Sequence, residues 1–293
     1  MSAKVSIIVP IFKVEAYIAD CARSVLGQSY PDIEFIFVDD GSPDRSVEIL
    51  ESLIRHEFPA RKQQVILLRK PNGGLPQARL SGLAAASGDY ILHVDSDDWI
   101  EKDAVEKLVS AAERTGADLI HFFVRKENGN GRSHVSTDKD YADPREYSAD
   151  VFTFRTHGYL VNKFARRSCY SPDLFYPKIN MHEDMVLSGQ LLFYCSTVAL
   201  LPEPLYHYRR NNPGSDTRQK RQRRRALSAR NFLDLYEFYR EKMDGSPLEA
   251  VQGKILNRCV WIGLRWDRSL FAERPYLAKA GSWPLRLLCA VLL

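Results

Sequence analysis

Over residues 1–120 the chain alternates short, apolar, β-branched runs with segments of helical period, and no other feature restricts its fold as much. Residues 5–10, 33–38, 65–68, 90–94 and 119–124 are short and almost continuously apolar, which predicts strands buried on both faces. Between them Ile18, Cys21, Ala22, Val25 and Ser29 recur at helical spacing, as do Val47, Leu50 and Ile54, and then Val105, Leu108, Val109 and Ala112. Such alternation implies right-handed crossovers and a largely parallel sheet covered by helices on both faces. Sheets of this class bind ligands beyond the carboxyl ends of their strands. Polar and glycine-rich sequences fall at those ends: Asp39-Asp40-Gly41 after the second run, Asn72-Gly73-Gly74 after the third and Asp95-Ser96-Asp97-Asp98 after the fourth.

From residue 126 to about 150 the chain turns polar and carries Asn128-Gly129-Asn130-Gly131, which reads as an extended loop or insertion. Beyond it the pattern is less regular. A helical stretch over 183–195, a strand-like 197–201, a proline-rich corner and a basic helical segment over 218–240 follow. Three consecutive parts are expected: an α/β ligand-binding half over 1–125, a second half of the same domain over 126–215, and a helical, basic appendage over 216–293.

The sequence Asp95-Ser96-Asp97-Asp98 places three carboxylates within four residues at the end of a buried strand. Like charges so close raise one another's pKa and oppose folding unless a positive group neutralises them. Hard carboxylate oxygens select magnesium, manganese or calcium, and the first two are commonly held by one or two carboxylates plus phosphate oxygens. Asp95 and Asp97, two apart on extended chain, project to the same side. Asp98 is expected to cap the helix that follows, and capping is the alternative for the whole cluster.

At this point the chain resembles the family 2 glycosyltransferases, which have the GT-A fold. The resemblance rests on Asp95-Ser96-Asp97 preceded by Val38-Asp39-Asp40-Gly41-Ser42, on Val5-Ser6-Ile7-Ile8-Val9-Pro10, and on Ser24-Val25-Leu26-Gly27-Gln28-Ser29-Tyr30. It extends through Asn72-Gly73-Gly74-Leu75 with Ala78-Arg79, Glu183-Asp184, and Tyr206-His207-Tyr208-Arg209 followed by Ser215, in the family's order over residues 4–215.

The resemblance implies a nucleotide-sugar donor and a glycan or lipid-linked saccharide acceptor. Pro10, Phe12 and Asp40 would hold the nucleobase and ribose. An aromatic face stacks on a base, and a carboxylate accepts the uracil N3 hydrogen, which favours a UDP-sugar. The family usually has Tyr-Asn where this chain has Phe12-Lys13. Core packing is the alternative for Phe12, and helix capping for Asp39 and Asp40. Asn72 and Arg79 resemble positions that reach the nucleotide; a plain turn is the alternative for the glycines beside Asn72. Asp95 would contact ribose or metal, Asp97 would coordinate Mn2+ or Mg2+, and Arg209 and Ser215 would close over the pyrophosphate. Asp184, opening a helix after His182-Glu183, would be the catalytic base. An ordinary acidic first helical turn is its alternative. Direct displacement by the acceptor hydroxyl inverts the anomeric configuration.

Two other classes compete. A metal-dependent nucleotidyltransferase also pairs an α/β sheet with Asp-x-Asp, but no glycine-rich basic phosphate loop follows the first strand, where Pro10-Ile11-Phe12 stands. A non-catalytic nucleotide-sugar-binding protein would have no need of the Asp184 base. Polymerising relatives carry Gln-x-x-Arg-Trp, of which only Arg265-Trp266 is present, so addition of a single sugar is expected.

A formal charge of +4 falls short of a nucleic-acid signature. Six basic residues among 218–225, and an apolar stretch over 283–293, suggest peripheral contact with an anionic membrane, with a solvated face and ordinary helix docking as the alternatives. Five scattered cysteines without Cys-x-x-Cys spacing fit a reducing cytoplasm. No signal peptide and no spanning segment are expected, so the localisation read here is cytoplasmic, peripheral on the inner face of the cell membrane if the basic run binds it.

Overall fold

The computed structural model describes residues 3–129, 131–210, 212, 221–242 and 244–292. In chain order the elements are β1 (Val5–Ile11), α1 (Ile18–Leu26), β2 (Ile33–Asp39), α2 (Ser46–His56), β3 (Val65–Arg69), α3 (Leu75–Ala85), β4 (Tyr90–His93), β5 (Trp99–Ile100), α4 (Ala104–Thr115), β6 (Leu119–Glu127) and β7 (Ser133–Ser136). There follow α5 (Pro144–Phe152), β8 (Lys163–Arg166), α6 (Glu183–Tyr194), β9 (Val198–Arg209), α7 (Arg221–Tyr239), α8 (Gln252–Trp266), α9 (Ser269–Glu273), α10 (Leu277–Ala280) and α11 (Trp283–Leu292).

The chain divides into two compact units that interleave along the sequence, residues 1–144, 159–172 and 194–213 forming one and 145–158, 173–193 and 214–293 the other. Among the described residues all the strands belong to the first. They run in the order β3-β2-β1-β4-β8-β6-β9-β5, with β7 paired to β6. The four strands β3-β2-β1-β4 are parallel, as the alternation requires, and β6 and β9 are parallel to each other. Between these groups β8 is antiparallel to both β4 and β6, so the sheet is mixed outside its first four strands.

Every residue of β1 and β2 is buried, because helices cover both faces. On one face Val5, Ile7 and Val9 pack with Ile18, Cys21, Ala22 and Val25 of α1, and with Val105 and Leu108 of α4. On the other, Ile8, Ile36, Val38 and Ile91 meet Ala78 of α3. That helix comes close because of Gly82, where a Cβ would lie 2.4 Å from Ile8 Cγ2. Any larger residue there would push α3 off the sheet, and with it Arg79 one turn earlier.

Two readings of the sequence are corrected. Residues 126–150 are not an extended loop: β6 runs through Glu127, turns into β7, and α5 begins at Pro144. Their composition is polar because this strand pair lies largely outside the core. Likewise, the prolines at 202 and 204 do not make a corner. The strand β9 continues through them, with a bulge where Phe122 pairs with Leu201 but Phe123 pairs with Pro204. Proline lacks an amide hydrogen for the ladder, and a bulge is where a strand tolerates that loss.

The second unit is mainly helical. Its core is built from residues such as Phe232 and Leu233 of α7 and Ile255, Cys259 and Val260 of α8. Packed against α8 are α7, α10 and α11. Arg230 holds Asp267 and Glu273 at 2.9 and 2.5 Å, while Arg274 pairs with Asp234 and, at 3.1 Å, with Glu237. Among the described residues no helix is long and apolar enough to cross a membrane.

Candidate active site

At the carboxyl end of β4 the chain leaves the sheet at Val94 and enters Asp95-Ser96-Asp97-Asp98, and the three carboxylates separate into different roles. Asp98 is fully buried. Its Oδ2 accepts the Tyr206 hydroxyl at 2.7 Å and its Oδ1 accepts the Arg209 backbone N–H at 2.7 Å. Burial, then Asp97 and Asp95, push its carboxyl well above the usual range. The expected capping role for Asp98 is therefore wrong. The next helix, α4, begins only at Ala104 with no side-chain cap, and Asp98 instead ties β9 to the end of β4.

Tyr206, also fully buried, accepts the Asp95 amide at 3.1 Å on the same hydroxyl that it gives to Asp98. One oxygen thus connects β9 to both ends of the acidic turn. Tyr206→Phe leaves an amide and a buried carboxylate short of a partner, and is expected to cost about 1–3 kcal/mol. A urea or thermal unfolding midpoint equal to wild type would show that the hydroxyl has no such role.

The other two carboxylates face a basic and polar surround. Asp95 Oδ1 accepts from Arg79 Nη2 at 2.8 Å, and Arg79 is 1% exposed. A guanidinium so deep requires a charged partner. Asp97 Oδ2 accepts from Asn212 Nδ2 at 2.7 Å. Burial first, and then Asp95, raise the Asp97 carboxyl above its ordinary value. Arg209, the last residue of β9, sends Nε to the Asp97 carbonyl at 2.9 Å and Nη2 to Asp20 at 3.0 Å. Its guanidinium lies over the rings of Trp99 and Tyr17, 4.7 and 5.1 Å from their centroids. Trp99 in turn stacks on His207, its partner in the β5–β9 ladder, at 5.0 Å. Arg209 is therefore a strand-end residue held by aromatic faces and acids.

The ends of β1, β2 and β3 supply the neighbouring wall. Pro10 is buried within β1, and Phe12 just beyond it is 41% exposed, with the Lys13 ammonium 5.1 Å from its ring centroid. Lys13 itself has φ +55°, a left-handed conformation that costs a non-glycine residue energy and clusters at functional sites. The packing alternative for Phe12 does not hold. Asp40 is buried, and three donors converge on its carboxylate: Lys70 Nζ at 2.5 Å, Gly73 N at 2.9 Å and Gly74 N at 2.8 Å. Asn72 Nδ2 returns to the Asp40 carbonyl at 3.0 Å. Gly74 takes φ +86° to turn the chain into α3, which aims the Gly73 and Gly74 N–H groups at the helix start onto the Asp40 carboxylate. Asp39 bonds the Ser42 amide at 2.8 Å.

The first unit thus brings together Pro10, Phe12, Asp40, Asn72, Arg79, Asp95, Asp97 and Arg209 along the carboxyl edge of β1-β2-β3-β4 and the end of β9. Ser215 lies outside the described residues. Asp184 belongs to the second unit, in the first turn of α6, half-buried next to buried Glu183. Before it His182 adopts φ +55°, and its Nδ1 is 2.9 Å from Ser228 Oγ. Burial, reinforced by Arg224 and Arg258, pulls the His182 imidazole down to about 4. Sequence reasoning passed over Lys70, Asn212, Asp20 and the tyrosine of the acidic turn. Of these only Tyr206 carried a signal, standing in the Tyr206-His207-Tyr208-Arg209 run on which the resemblance rests.

Two carboxylates fit a magnesium or manganese ion that takes its remaining ligands from water and phosphate. Asp95 and Asp97 would be those ligands. Asp98 would not, since both of its oxygens are engaged away from them. Among the described residues no group of three His, Cys, Asp or Glu side chains forms an all-protein cage.

A search of known proteins agrees with this geometry. The model of glycosyl transferase family 2 matches residues 6–200. The putative glycosyltransferase EpsH of Bacillus subtilis (strain 168) is 32% identical over 212 residues, covering 70% of this chain and 60% of EpsH, so the chain spans less than two thirds of that relative. In fold, the chain is similar to S. aureus TarS 1-349 in complex with UDP-GlcNAc, with a TM-score of 0.65 at 20% identity over 94% of this chain and 79% of that one. The mannosyltransferase PcManGT from Pyrobaculum calidifontis, in complex with GDP-Man and Mn2+, aligns with a TM-score of 0.55 at 14% identity over 99% and 79%. With an Asp-x-Asp turn at the end of a parallel strand of a GT-A sheet and a family match over about two thirds of its length, this chain belongs to glycosyl transferase family 2.

Proposed function

We propose that the chain is an inverting glycosyltransferase that moves a sugar from a UDP-sugar to a hydroxyl of a glycan or lipid-linked saccharide acceptor, with a divalent ion at Asp97 and Asp95. The observation that carries this reading is the separation of the acidic turn into one structural carboxylate, Asp98, and two that face Arg79, Asn212 and Arg209. Asp97 is half-buried, and burial together with Asp95 raises its carboxyl, a cost that a bound cation would offset.

Phe12 offers a ring for the base, and Asp40 with Asn72 forms the edge against which base and ribose would rest. TarS with UDP-GlcNAc supports uridine as the carrier. A bound Mn2+ or Mg2+ supplies positive charge to the diphosphate leaving group, and the Mn2+ complex of PcManGT supports a metal of that kind. Arg209, and Ser215 of the segment beyond it, would add hydrogen bonds to the departing diphosphate. Arg79 holds Asp95 in place for ribose or ion. Asp184 would take the proton of the acceptor hydroxyl as that oxygen attacks the anomeric carbon, and an attack opposite the leaving diphosphate inverts the configuration.

The test is a panel of UDP-, GDP- and dTDP-sugars in manganese, magnesium or EDTA, followed by hydrolysis and transfer. Turnover is expected with UDP-sugars and is lost in EDTA. Equal rates in EDTA would overturn the metal, and preference for GDP would overturn the carrier.

A further inference from the structure

We propose that the outward face of α8 is a docking surface for anionic phospholipid. This goes beyond the reaction proposed above and does not depend on it. The buried side of α8 is made by Ile255, Leu256, Cys259, Val260 and Ile262. Opposite them Lys254, Arg258, Trp261 and Arg265 recur at spacings of four, three and four residues, which align them along one helix face of roughly 16 Å. All four are exposed, and Trp261 is 43% exposed, unusually open for so large an apolar ring.

Charge and chemistry both point to a lipid interface. The face carries three cations and no acid. Among the described residues neither Lys254 nor Arg265 forms an ion pair, and the Arg258 guanidinium stacks 3.5 Å from the centroid of Phe154. The acids of the adjoining helices, Asp234, Glu237, Asp267 and Glu273, are already engaged by Arg230 and Arg274. They do not offset the row. Beside it, Arg225 of α7 lies 4.0 Å over Trp266, which meets Trp261 edge to face at 4.8 Å.

A tryptophan among arginines and lysines is the composition favoured at the headgroup level of a bilayer, where the ring is half apolar and long basic stems reach phosphate. Nucleic acid would instead call for ring faces open to stacking, and Arg225 covers one face of Trp266. The helix α11, apolar in sequence apart from Arg286, packs against α8.

Sedimentation of the full chain with vesicles tests this directly. Vesicles of phosphatidylcholine doped with phosphatidylglycerol should carry the wild type down at low salt, while pure phosphatidylcholine should not. Neutralising both charges in K254Q/R265Q should weaken binding about 30-fold, and W261S should weaken it further. Unchanged melting curves establish that both variants are folded. Donor hydrolysis without vesicles reads the proposed reaction separately, and should be the same for wild type and variants. Equal binding to neutral vesicles, no binding to anionic ones, undiminished binding by K254Q/R265Q, or preference for a single-stranded oligonucleotide would each overturn the proposal.

Discussion

Asp97→Asn is expected to lower kcat for sugar transfer roughly 10³-fold, about 4 kcal/mol of transition-state stabilisation, without destabilising the fold. Both halves follow from its surroundings. Breaking the sugar–phosphate bond leaves a diphosphate, and the proposed ion, held by Asp97 with Asp95, is the main positive charge available to it. An amide at position 97 keeps the shape and still meets Asn212, but loses the anionic oxygen that would ligate. Meanwhile burial and the neighbouring Asp95 disfavour the charged form of the native carboxylate, so a neutral amide removes that cost in the absence of metal. Steady-state rates across a manganese titration, with a melting curve beside them, check both. Wild-type turnover would sink the metal assignment. A fall in stability with normal turnover would make Asp97 a structural residue like Asp98.

Asp184→Asn should separate binding from chemistry. Removing a general base typically costs 10²–10⁴ in rate, here with little change in affinity for UDP. The affinity of the variant for UDP is measured by calorimetry and its kcat by product release with a saturating acceptor. If Asp184 only favours the start of α6 through the helix dipole, the variant keeps its kcat and loses a fraction of a kcal/mol of stability, about 0.3–1 kcal/mol at most. The His182 conformation adds a reason to look here. A left-handed non-glycine residue immediately before the Glu183-Asp184 turn is strain that the fold maintains, and such strain collects where a side chain has to be aimed.

Much of the first unit was legible because its information is local. A β-branched run such as residues 33–38 is a strand by its own composition, and Ile18, Cys21, Ala22 and Val25 place one face of α1 without reference to the rest of the chain. Once parallel strands are inferred, the position of a ligand site at their carboxyl ends follows from topology, which is why Asp40, Asn72, Asp95 and Asp97 could be named together. The second half was harder to read. Its strands pair across long separations: Lys163 opposite His121, Tyr90 opposite Arg166, Trp99 opposite His207. Nothing near Pro202 or Pro204 announces that a strand runs on through a bulge, because the partner that supports it, β6, is about eighty residues away in sequence.

The sequence alone determined which residues are acidic, where the first four strands end to within about a residue, and that three carboxylates follow a buried run, since spacing and side-chain type are local properties of the chain. Only the tertiary structure decided what each carboxylate does. Asp98 and Asp97 are adjacent in sequence and identical in chemistry. One is closed off by Tyr206 and the Arg209 amide from a strand more than a hundred residues later, and the other faces Asn212 and the Asp95–Arg79 pair. The distinction between a structural acid and a candidate metal ligand lies in the partners that folding brings, because a carboxylate's role is set by the donors around it and not by its place in the sequence.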